Sequence, residues 1–451
     1  MKPGVVVVAA LLSPIMVSMP RKSSHGGIRI PRSVFSSAGW LIAGRLVGAA
    51  CTFATLLLLA KALDGPDFGR LTFWISAFLV LDGVVDFGSG ATALQRISAN
   101  PNETGAVLRT ARRARMGMAL LVVFAVTATG FAIEGDDAPF LAVAALYQLS
   151  HVLELSTLGW RDRIAWKSPV LVRASAALCS LLGVLLLLQL GERRPLAYLV
   201  AIAFGSTLGN LALHHFGRHG LPSTRGVTPA PLRPFLVASI PMGAAAVCQQ
   251  LYFHVDNVFV RSTAGDEAVG HYGVAVRFMS LSIMGGVFAA AAAQPWLTRA
   301  HMRGELLGAT LRLTGMSAVL GTLIAAVAFP LRSDLLALVG EEFRVAAPSF
   351  GWLLGAGIAV HLGAPLLTAV VAAGRGRSVL VAAATGLLLN VAGNAWLVPS
   401  LGMEGAAIAT LATECWIVAM AFIALLRAQR LGPPEPTESG GTELSPAASG
   451  S

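Results

Sequence analysis

The feature that most constrains this chain is a series of apolar stretches, each long enough to cross a lipid bilayer as a helix. Such a helix needs about 20 mostly apolar residues. We predict twelve spans, at 35–60, 71–91, 116–133, 138–158, 168–190, 195–214, 235–260, 270–296, 308–330, 346–372, 378–398 and 404–426. Charged residues make up only 12% of the chain, against roughly a quarter in soluble proteins. The stretches lack the alternation of a membrane barrel, so we expect an all-α polytopic membrane protein and exclude a soluble enzyme.

The 33 Lys and Arg residues indicate how these helices are oriented. Most of them fall in alternate loops, at 21–32, 96–115, 161–173, 218–233, 299–312, 375–377 and 427–430. Loops rich in basic residues face the cytoplasm. An even number of spans then places both ends of the chain there, and the protein in the cell inner membrane. Because the basic residues recur between apolar spans, the net charge of +10 reflects topology, and nucleic acid is not an expected partner.

The loops divide the chain into two halves of six spans. We assign a cytoplasmic N-terminal segment, a first lobe, a cytoplasmic inter-lobe loop, a second lobe and a disordered cytoplasmic tail, at 1–34, 35–215, 216–234, 235–427 and 428–451. Residues 1–18 resemble a signal peptide, but cleavage there would send the basic residues that follow to the outside. A translation start at Met19, or a dispensable segment, is therefore the preferred interpretation.

Two short hairpins occupy matching positions in the two halves. The segment 64–69 separates the first two spans, and the segment 265–270 separates the seventh and eighth. They end at Gly69 and Gly270, and each is typical of a tight external turn. A repeat of six spans plus six indicates a transporter whose site lies between the halves.

Three segments carry a resemblance to a known family. They are LDGPDFGRLTFWISAFLVLDGVVDFG at 63–88, the segment 241–280 with HVDNVFV and GHYGVAVRFMS, and the segment 340–402 with LLLNVAGNAWLVPSLG. In this order they resemble the polysaccharide-biosynthesis flippases, which include the O-antigen and oligosaccharide-lipid flippases. The resemblance implies a two-lobed, V-shaped fold like that of the multidrug-and-toxin extruders. It also implies flipping of undecaprenyl-diphosphate-linked oligosaccharide between membrane leaflets, with polysaccharide polymerase and glycosyltransferases as candidate partners.

Arg45 in the first span is a candidate ligand for a diphosphate headgroup. It shares a helix face with small and polar residues typical of a cavity wall, namely Ser37, Gly48, Thr52 and Thr55. A guanidinium binds phosphate oxygens through paired hydrogen bonds and stays charged at any cellular pH. The alternative is a structural ion pair with Asp82 or Asp86 of the next span.

Arg277 in the eighth span is the second candidate headgroup ligand. Gly273 and Ser280 flank it on its helix face. The related lipid II flippases line their central cavity with arginine, so the resemblance supports a binding role. The alternative is an ion pair with Asp256, across a short external hairpin, that would neutralise both charges. The two roles are compatible if the pair breaks during transport.

The seventh span is unusually polar for a membrane helix. Its polar side chains fall on two adjoining stripes and include Gln249, Gln250, Tyr252, His254 and Asn257. We predict that they contact sugar through hydrogen bonds. The alternative is polar packing between helices, which is the commoner use of such residues.

Three further carboxylates in the spans are candidates for coupling or for ion pairing. Asp82 and Asp86 lie one helical turn apart, and two close carboxylates favour sharing a proton, which suits proton coupling. The alternative is neutralisation of the pair by Arg96 or Arg45. Glu414 in the twelfth span is a candidate coupling or cation site.

A cluster of arginines precedes the third span and comprises Arg109, Arg112, Arg113 and Arg115. Its usual meaning is topology. The alternative is attraction of anionic lipid headgroups or of an incoming diphosphate.

The chain contains no phosphate-binding GxxxxGK[ST] loop, no metal-ligand spacing and no catalytic constellation. We therefore predict no cofactor, and a transporter in place of an enzyme. The leading hypothesis is a flippase for polyprenyl-diphosphate-linked oligosaccharide that works by alternating access. The alternatives are a small-molecule efflux pump of the same fold and a membrane assembly protein that transports nothing.

Overall fold

The computed structural model describes residues 32–130, 137–158, 167–217 and 227–431. Contacts divide the chain into a unit at Met1–Ser36 and a unit at Ser37–Ser451. Of the first unit, only the backbone from Arg32 onward is described. Residues 1–18, positions 218–226 of the inter-lobe loop and the tail beyond 431 lie outside the described residues, so the hypotheses about them stay predictions.

All regular structure in the described ranges is helical. The first half comprises α1 (Arg32–Ala62), α2 (Gly65–Asp86), α3 (Ser89–Ala99), α4 (Thr104–Gly130), α5 (Ala138–His151), α6 (Lys167–Gln189) and α7 (Pro195–Gly217). The second half comprises α8 (Leu232–Met302), α9 (Leu306–Ala328), α10 (Arg332–Ala337), α11 (Ala347–Ala372), α12 (Gly376–Leu401) and α13 (Met403–Leu431). Short 3₁₀ turns cover Pro101–Glu103, Val152–Thr157 and Glu341–Ala346.

The long helix α8 is two membrane spans joined by a turn. Gly265 interrupts it with a φ of 80°, a left-handed conformation that glycine adopts without steric cost. We name the two parts α8a (232–264) and α8b (266–302). With α8 counted as two, twelve long helical segments coincide with the twelve predicted spans. Nine of the described helices, with α8 counted once, are apolar and long enough to cross a membrane. The all-α prediction is confirmed.

Local signals explain where α2 begins and ends. The Asp64 carboxylate caps the helix by accepting the Asp67 N–H at 2.9 Å, and Pro66 lies in the first turn. Left-handed conformations at Phe87 and Gly88 end the helix, with φ of 36° and 70°. The sequence 64–69 is therefore a helix start as well as a hairpin turn.

The helix α2 packs closely against α8, with glycines at both ends of the contact. At the predicted external end, a Cβ on Gly69 would overlap the Asp266 carbonyl, and Gly270 contacts Gly69. At the predicted cytoplasmic end, a Cβ on Gly243 would overlap the Phe87 carbonyl. The main buried core continues across these helices and includes Leu71, Tyr272 and Phe350. The two matching hairpin glycines are thus points of backbone contact between the two halves.

We expect Gly69→Ala to destabilise the protein by about 1–3 kcal/mol, because the added methyl group forces α2 and α8b apart. Thermal unfolding of the purified protein in detergent measures this loss. Gly117→Ala on α4 is the matched control, since a Cβ there meets nothing within 4 Å. Equal unfolding midpoints for the two variants would contradict the packing described here.

Candidate functional site

A cavity of about 260 Å³ lies among α1, α2, α5, α6, α7 and α8b. Its walls are largely apolar, with contributions such as Leu56, Leu59 and Leu71. The polar side chains that line it are Thr52, Thr55, Thr72, Tyr147, Arg173, Ser180, Ser206, Asn210 and Arg277. Ligand pockets usually measure about 300–1,000 Å³, so this cavity accommodates a headgroup and not a whole lipid-linked oligosaccharide.

Arg277 lines this cavity from α8b, and its predicted role as a headgroup ligand stays a prediction. Its side chain is half-buried. Within the described ranges it makes no ion pair and no side-chain hydrogen bond. A desolvated cation with no partner of its own attracts an anion. Arg277 is thus the described residue best placed to bind a phosphate.

The ion pair between Asp256 and Arg277 that the sequence offered as an alternative is not formed. Asp256 is buried and accepts the Tyr272 hydroxyl at 2.6 Å and the Asn257 N–H at 2.9 Å. Tyr272 lies across the hairpin on α8b and is the hydrogen-bond partner of Asp256 where an ion pair with Arg277 was the expected alternative. The two hydrogen bonds satisfy the carboxylate, so Arg277 is left for the cavity.

The backbone of Arg45 lies in α1 as predicted, but its side chain is outside the described part of the structure. Two members of its predicted face, Thr52 and Thr55, line the cavity. A headgroup role for Arg45 stays a prediction.

Arg173 is a cavity residue that sequence reasoning missed. It was counted among the cytoplasmic basic residues, yet it lies about two turns inside α6 and lines the same cavity as Arg277. Its guanidinium pairs with Glu154. The same α6 face carries Ala176, Ala177 and Ser180, the small-residue pattern that singled out Arg45. This pattern of small residues was the sequence signal that could have identified Arg173 as a cavity residue.

Asp82 and Asp86 have separate partners in the structure. Asp86 forms an ion pair with the buried Arg115 of α4 and accepts the Ser89 hydroxyl at 3.3 Å. Asp82 accepts the Gln148 amide at 3.0 Å. Ion pairing therefore describes Asp86, with Arg115 as a partner that the sequence analysis did not name.

Arg96 and Arg115, in α3 and α4, have contacts that differ from those expected from the sequence. Arg96 donates to the Pro234 carbonyl at 3.0 Å and does not reach the carboxylates. Arg115 was expected in a loop cluster but is buried at the centre of the ion-pair network. It lies three turns into α4, where the helix has already entered the packed bundle.

None of the five polar residues of α8a lines the described cavity. Gln250 donates to the Leu79 carbonyl at 2.9 Å, and Asn257 donates to the Ser76 hydroxyl at 3.0 Å. These two residues join α8a to α2 through polar packing, the alternative weighed from the sequence. Sugar contact by Gln249, Tyr252 or His254 stays a prediction.

Glu414 lies in a second polar region, within the last six helices. It is buried, and its Oε1 atom has no hydrogen-bond partner in the described residues. Tyr252 of α8a is its hydrogen-bonding neighbour. The facing helix α12 contributes Asn390 and Asn394, whose side chains also carry buried atoms without partners. Of these unpartnered atoms, Glu414 Oε1 and Asn394 Oδ1 are acceptors and Asn390 Nδ2 is a donor. Unused oxygen acceptors suit a small cation or a proton.

A charged cluster closes the predicted external end of the contact between the halves. Asp137 accepts Arg70 Nε at 2.7 Å, Arg261 Nη2 at 2.8 Å and Trp74 Nε1 at 3.2 Å. Arg261 also pairs with Asp266 at 2.6 Å. Burial alone would raise the pKa of Asp137, but the hydrogen bonds and the charge of Arg261 outweigh it and lower the pKa. We name this cluster the external latch.

We expect Asp137→Asn to destabilise the protein by about 1–2 kcal/mol, because two partly buried guanidinium groups lose their shared carboxylate. Because the folded-state pKa lies below the ordinary value, this stability is present above the ordinary pKa and is lost only as pH falls through the lowered one. The difference in unfolding midpoint between wild type and variant is therefore constant from pH 8 to pH 5.

Asp334→Asn, which removes an exposed partner of Arg344, is the matched control and should change the midpoint little. A wild-type advantage that disappears between pH 8 and pH 6 would contradict the assignment to Asp137.

Comparison with known proteins is consistent with this architecture. Residues 34–301 match the family described as polysaccharide biosynthesis protein, and residues 241–396 match the MatE family. The resemblance noted in the sequence is thereby confirmed. A comparison with curated proteins found no match.

Solved structures share the fold at low sequence identity. The lipid II flippase MurJ in an inward closed conformation has a TM-score of 0.68 at 13% identity, over 88% of this chain and 89% of that one. An inward-facing multidrug resistance MATE family transporter of the MOP superfamily has a TM-score of 0.64 at 13% identity, over 87% and 98%. A MOP superfamily transporter from Pyrococcus furiosus has a TM-score of 0.63 at 15% identity, over 88% and 95%. The chain is a multi-pass membrane protein with the fold of MOP-superfamily transporters.

Proposed function

Because the chain belongs to the polysaccharide biosynthesis protein family, we propose that it is a flippase for polyprenyl-diphosphate-linked oligosaccharide. It moves this lipid across the inner membrane by alternating access, for export of surface polysaccharide. The observation that carries the proposal is the guanidinium of Arg277 in a small cavity, without an ion pair among the described residues. Both chain ends face the cytoplasm in this proposal, and a polysaccharide polymerase and glycosyltransferases are the candidate partners.

The cavity binds the headgroup, and the rest of the substrate stays outside it. Arg277 donates paired hydrogen bonds to phosphate oxygens, and Arg45 of α1 stays a candidate for a further contact with the headgroup. The volume of about 260 Å³ admits a diphosphate, while the polyprenyl chain lies in the bilayer. Such recognition of the shared headgroup leaves the identity of the sugar to contacts outside the cavity.

Alternating access requires the external end to open after the headgroup has bound. The external latch joins α2 and α8a through Asp137 at the start of α5, and the contact between Gly69 and Asp266 holds α2 against α8b at that end. Arg277 lies on α8b, two turns from Gly270. Binding at Arg277 and separation of Gly69 from Asp266 therefore involve the same helix, which provides the proposed coupling between headgroup and gate.

Glu414 is the proposed coupling residue. Its buried Oε1 has no partner in the described residues, whereas Asp86 is already neutralised by Arg115. A cation or proton bound at Glu414 would compensate the charge of this carboxylate. Sodium or proton gradients can supply the energy, since the sequence has no nucleotide-binding loop.

The alternative is a small-molecule efflux pump of the same fold, and the largely apolar lining of the cavity favours it. An organic cation would be repelled by Arg173 and Arg277, so a pump with this cavity would carry neutral or anionic compounds. The assembly-protein alternative expected every intramembrane charge to be paired. Arg277 has no ion pair among the described residues, which does not support this alternative.

We expect Arg277→Ala to lower the rate of translocation at least tenfold, because the diphosphate loses its main charged contact. The assay follows a labelled polyprenyl-diphosphate-linked oligosaccharide in liposomes that contain the purified protein. Arg312→Ala on α9 removes an exposed arginine outside the cavity and should preserve the rate. Unchanged flipping by the Arg277 variant would refute the proposal, and export of a neutral compound alone would favour the pump.

We expect Glu414→Gln to abolish the dependence of flipping on an imposed sodium or proton gradient while substrate binding persists, because the amide carries no charge to compensate. Rates with and without each gradient, in the same liposomes, give the measurement. Glu404→Gln at the start of α13 is the control, since that carboxylate only accepts the Trp352 indole N–H at 2.9 Å. Retained gradient dependence in the Glu414 variant would exclude this residue from coupling.

A further inference from the structure

Two arginines line the cavity from different helices, and they differ in how their charge is compensated. Arg277 on α8b has no ion pair within the described residues, whereas Arg173 on α6 pairs with Glu154 of the turn that follows α5. Both guanidinium groups belong to the lining of the same space of about 260 Å³. Among the described residues, the cavity lining therefore contains one arginine with an ion pair and one without.

Arg173 is the movable member of its ion pair. Its side chain is 53% exposed, whereas the neighbouring Arg115 is only 4% exposed. Arg115 is also held by Asp86, by the Ser89 hydroxyl at 3.1 Å and by the His151 carbonyl at 3.4 Å. An anion in the cavity can therefore attract Arg173 without disturbing Arg115.

Glu154 keeps other partners when Arg173 moves away. Its Oε2 atom lies 3.6 Å from Arg115 Nη1 and 3.3 Å from His151 Nε2. Breaking one partner from an isolated buried pair is costly because it leaves an uncompensated charge. Here Arg115 remains beside the carboxylate, so release of Arg173 costs much less.

Charge balance then distinguishes two kinds of lipid headgroup. A diphosphate that links a polyprenyl chain to a sugar carries two negative charges, and Arg173 and Arg277 together supply two positive ones. The phosphodiester of an ordinary bilayer lipid carries one negative charge, which Arg277 alone compensates. Such a headgroup gains little by competing with Glu154 for Arg173.

We propose that Arg173 is a second diphosphate ligand, that Glu154 is a displaceable counter-ion for it, and that this exchange selects diphosphate over monophosphate lipids. The proposal rests on the flippase function proposed above. Glu154 acts through Arg173 as a positioning residue and does not contact the substrate. In this structure Glu154 holds Arg173 at the cavity wall, and this ion pair lowers the affinity for singly charged headgroups.

The test measures binding of two matched probes to the purified full-length protein in detergent. One probe is a short-chain polyprenyl diphosphate linked to a single sugar, and the other is the corresponding polyprenyl monophosphate sugar. We expect the wild type to prefer the diphosphate probe. Arg173→Gln should weaken diphosphate binding roughly tenfold and change monophosphate binding less than twofold.

Glu154→Gln should act in the opposite direction. Without its counter-ion, Arg173 is available to either headgroup, so binding of the monophosphate probe should tighten several-fold and the preference should shrink. The double variant should bind both probes like Arg173→Gln alone, because Glu154 affects headgroup binding only through Arg173. Arg173→Lys keeps the charge and should retain part of the preference, which guards against a folding defect in the glutamine variant.

The exposed pair formed by Glu192 and Arg194 is a matched control outside the cavity. Substitution of either residue by Gln should leave both affinities unchanged. A purely structural ion pair predicts that Arg173→Gln and Glu154→Gln weaken both probes alike, and that result would overturn the inference.

Arg277→Gln separates this inference from the function on which it rests. It should weaken both probes, because Arg277 contacts either headgroup. If that loss is observed while Arg173→Gln has no effect on preference, the exchange is wrong and the headgroup site stands. If the wild type binds neither probe, both proposals fail.

Discussion

The cost of placing charge in a lipid bilayer is the constraint on which the interior of this protein depends. Some intramembrane charges in the described residues are compensated by an opposite charge: Asp86 pairs with Arg115, and Arg173 pairs with Glu154. Asp82 and Asp256 instead accept hydrogen bonds from the neutral side chains of Gln148 and Tyr272. Arg277 has no ion pair in the described residues, and the Oε1 atom of Glu414 has no hydrogen-bond partner there. These two positions are where we expect an external anion and an external cation or proton.

The close contact between α2 and α8 joins the helix that carries Arg277 to the first half of the protein. Glycines at Gly69 and Gly243 allow the backbones to touch at both ends, and the external latch reinforces the outer contact. Arg277 and Gly270 belong to the same helix, α8b. In the proposed mechanism, a headgroup that moves Arg277 acts on the helix that contacts Gly69 at the predicted external end. Binding would then be linked to opening through rigid elements, without a long chain of intermediate contacts.

Sequence patterns were sufficient for some charged residues and misleading for others. Arg277 stood out because no other Lys or Arg lies within the predicted span 270–296. Arg115 and Arg173 were assigned to cytoplasmic loops, because each follows other basic residues within a few positions. Both lie two or three turns inside their helices, and one is buried in an ion-pair network while the other lines the cavity. A positive-inside pattern counts charges by loop and cannot distinguish a residue at the membrane surface from one just below it.

The amino-acid sequence alone determined the all-α class, because backbone groups in a bilayer must be paired within each helix. It also singled out the matching hairpins, Arg277 and Glu414, since glycine turns and isolated charges are visible without knowing any neighbour. Tertiary structure decided the partners. The pairing of Asp256 with Tyr272, the pairing of Asp86 with Arg115, and the presence of Arg173 and Arg277 in one cavity lining all depend on how helices distant in sequence face one another. Sequence spacing defines faces within one helix, and only packing brings the faces of different helices together.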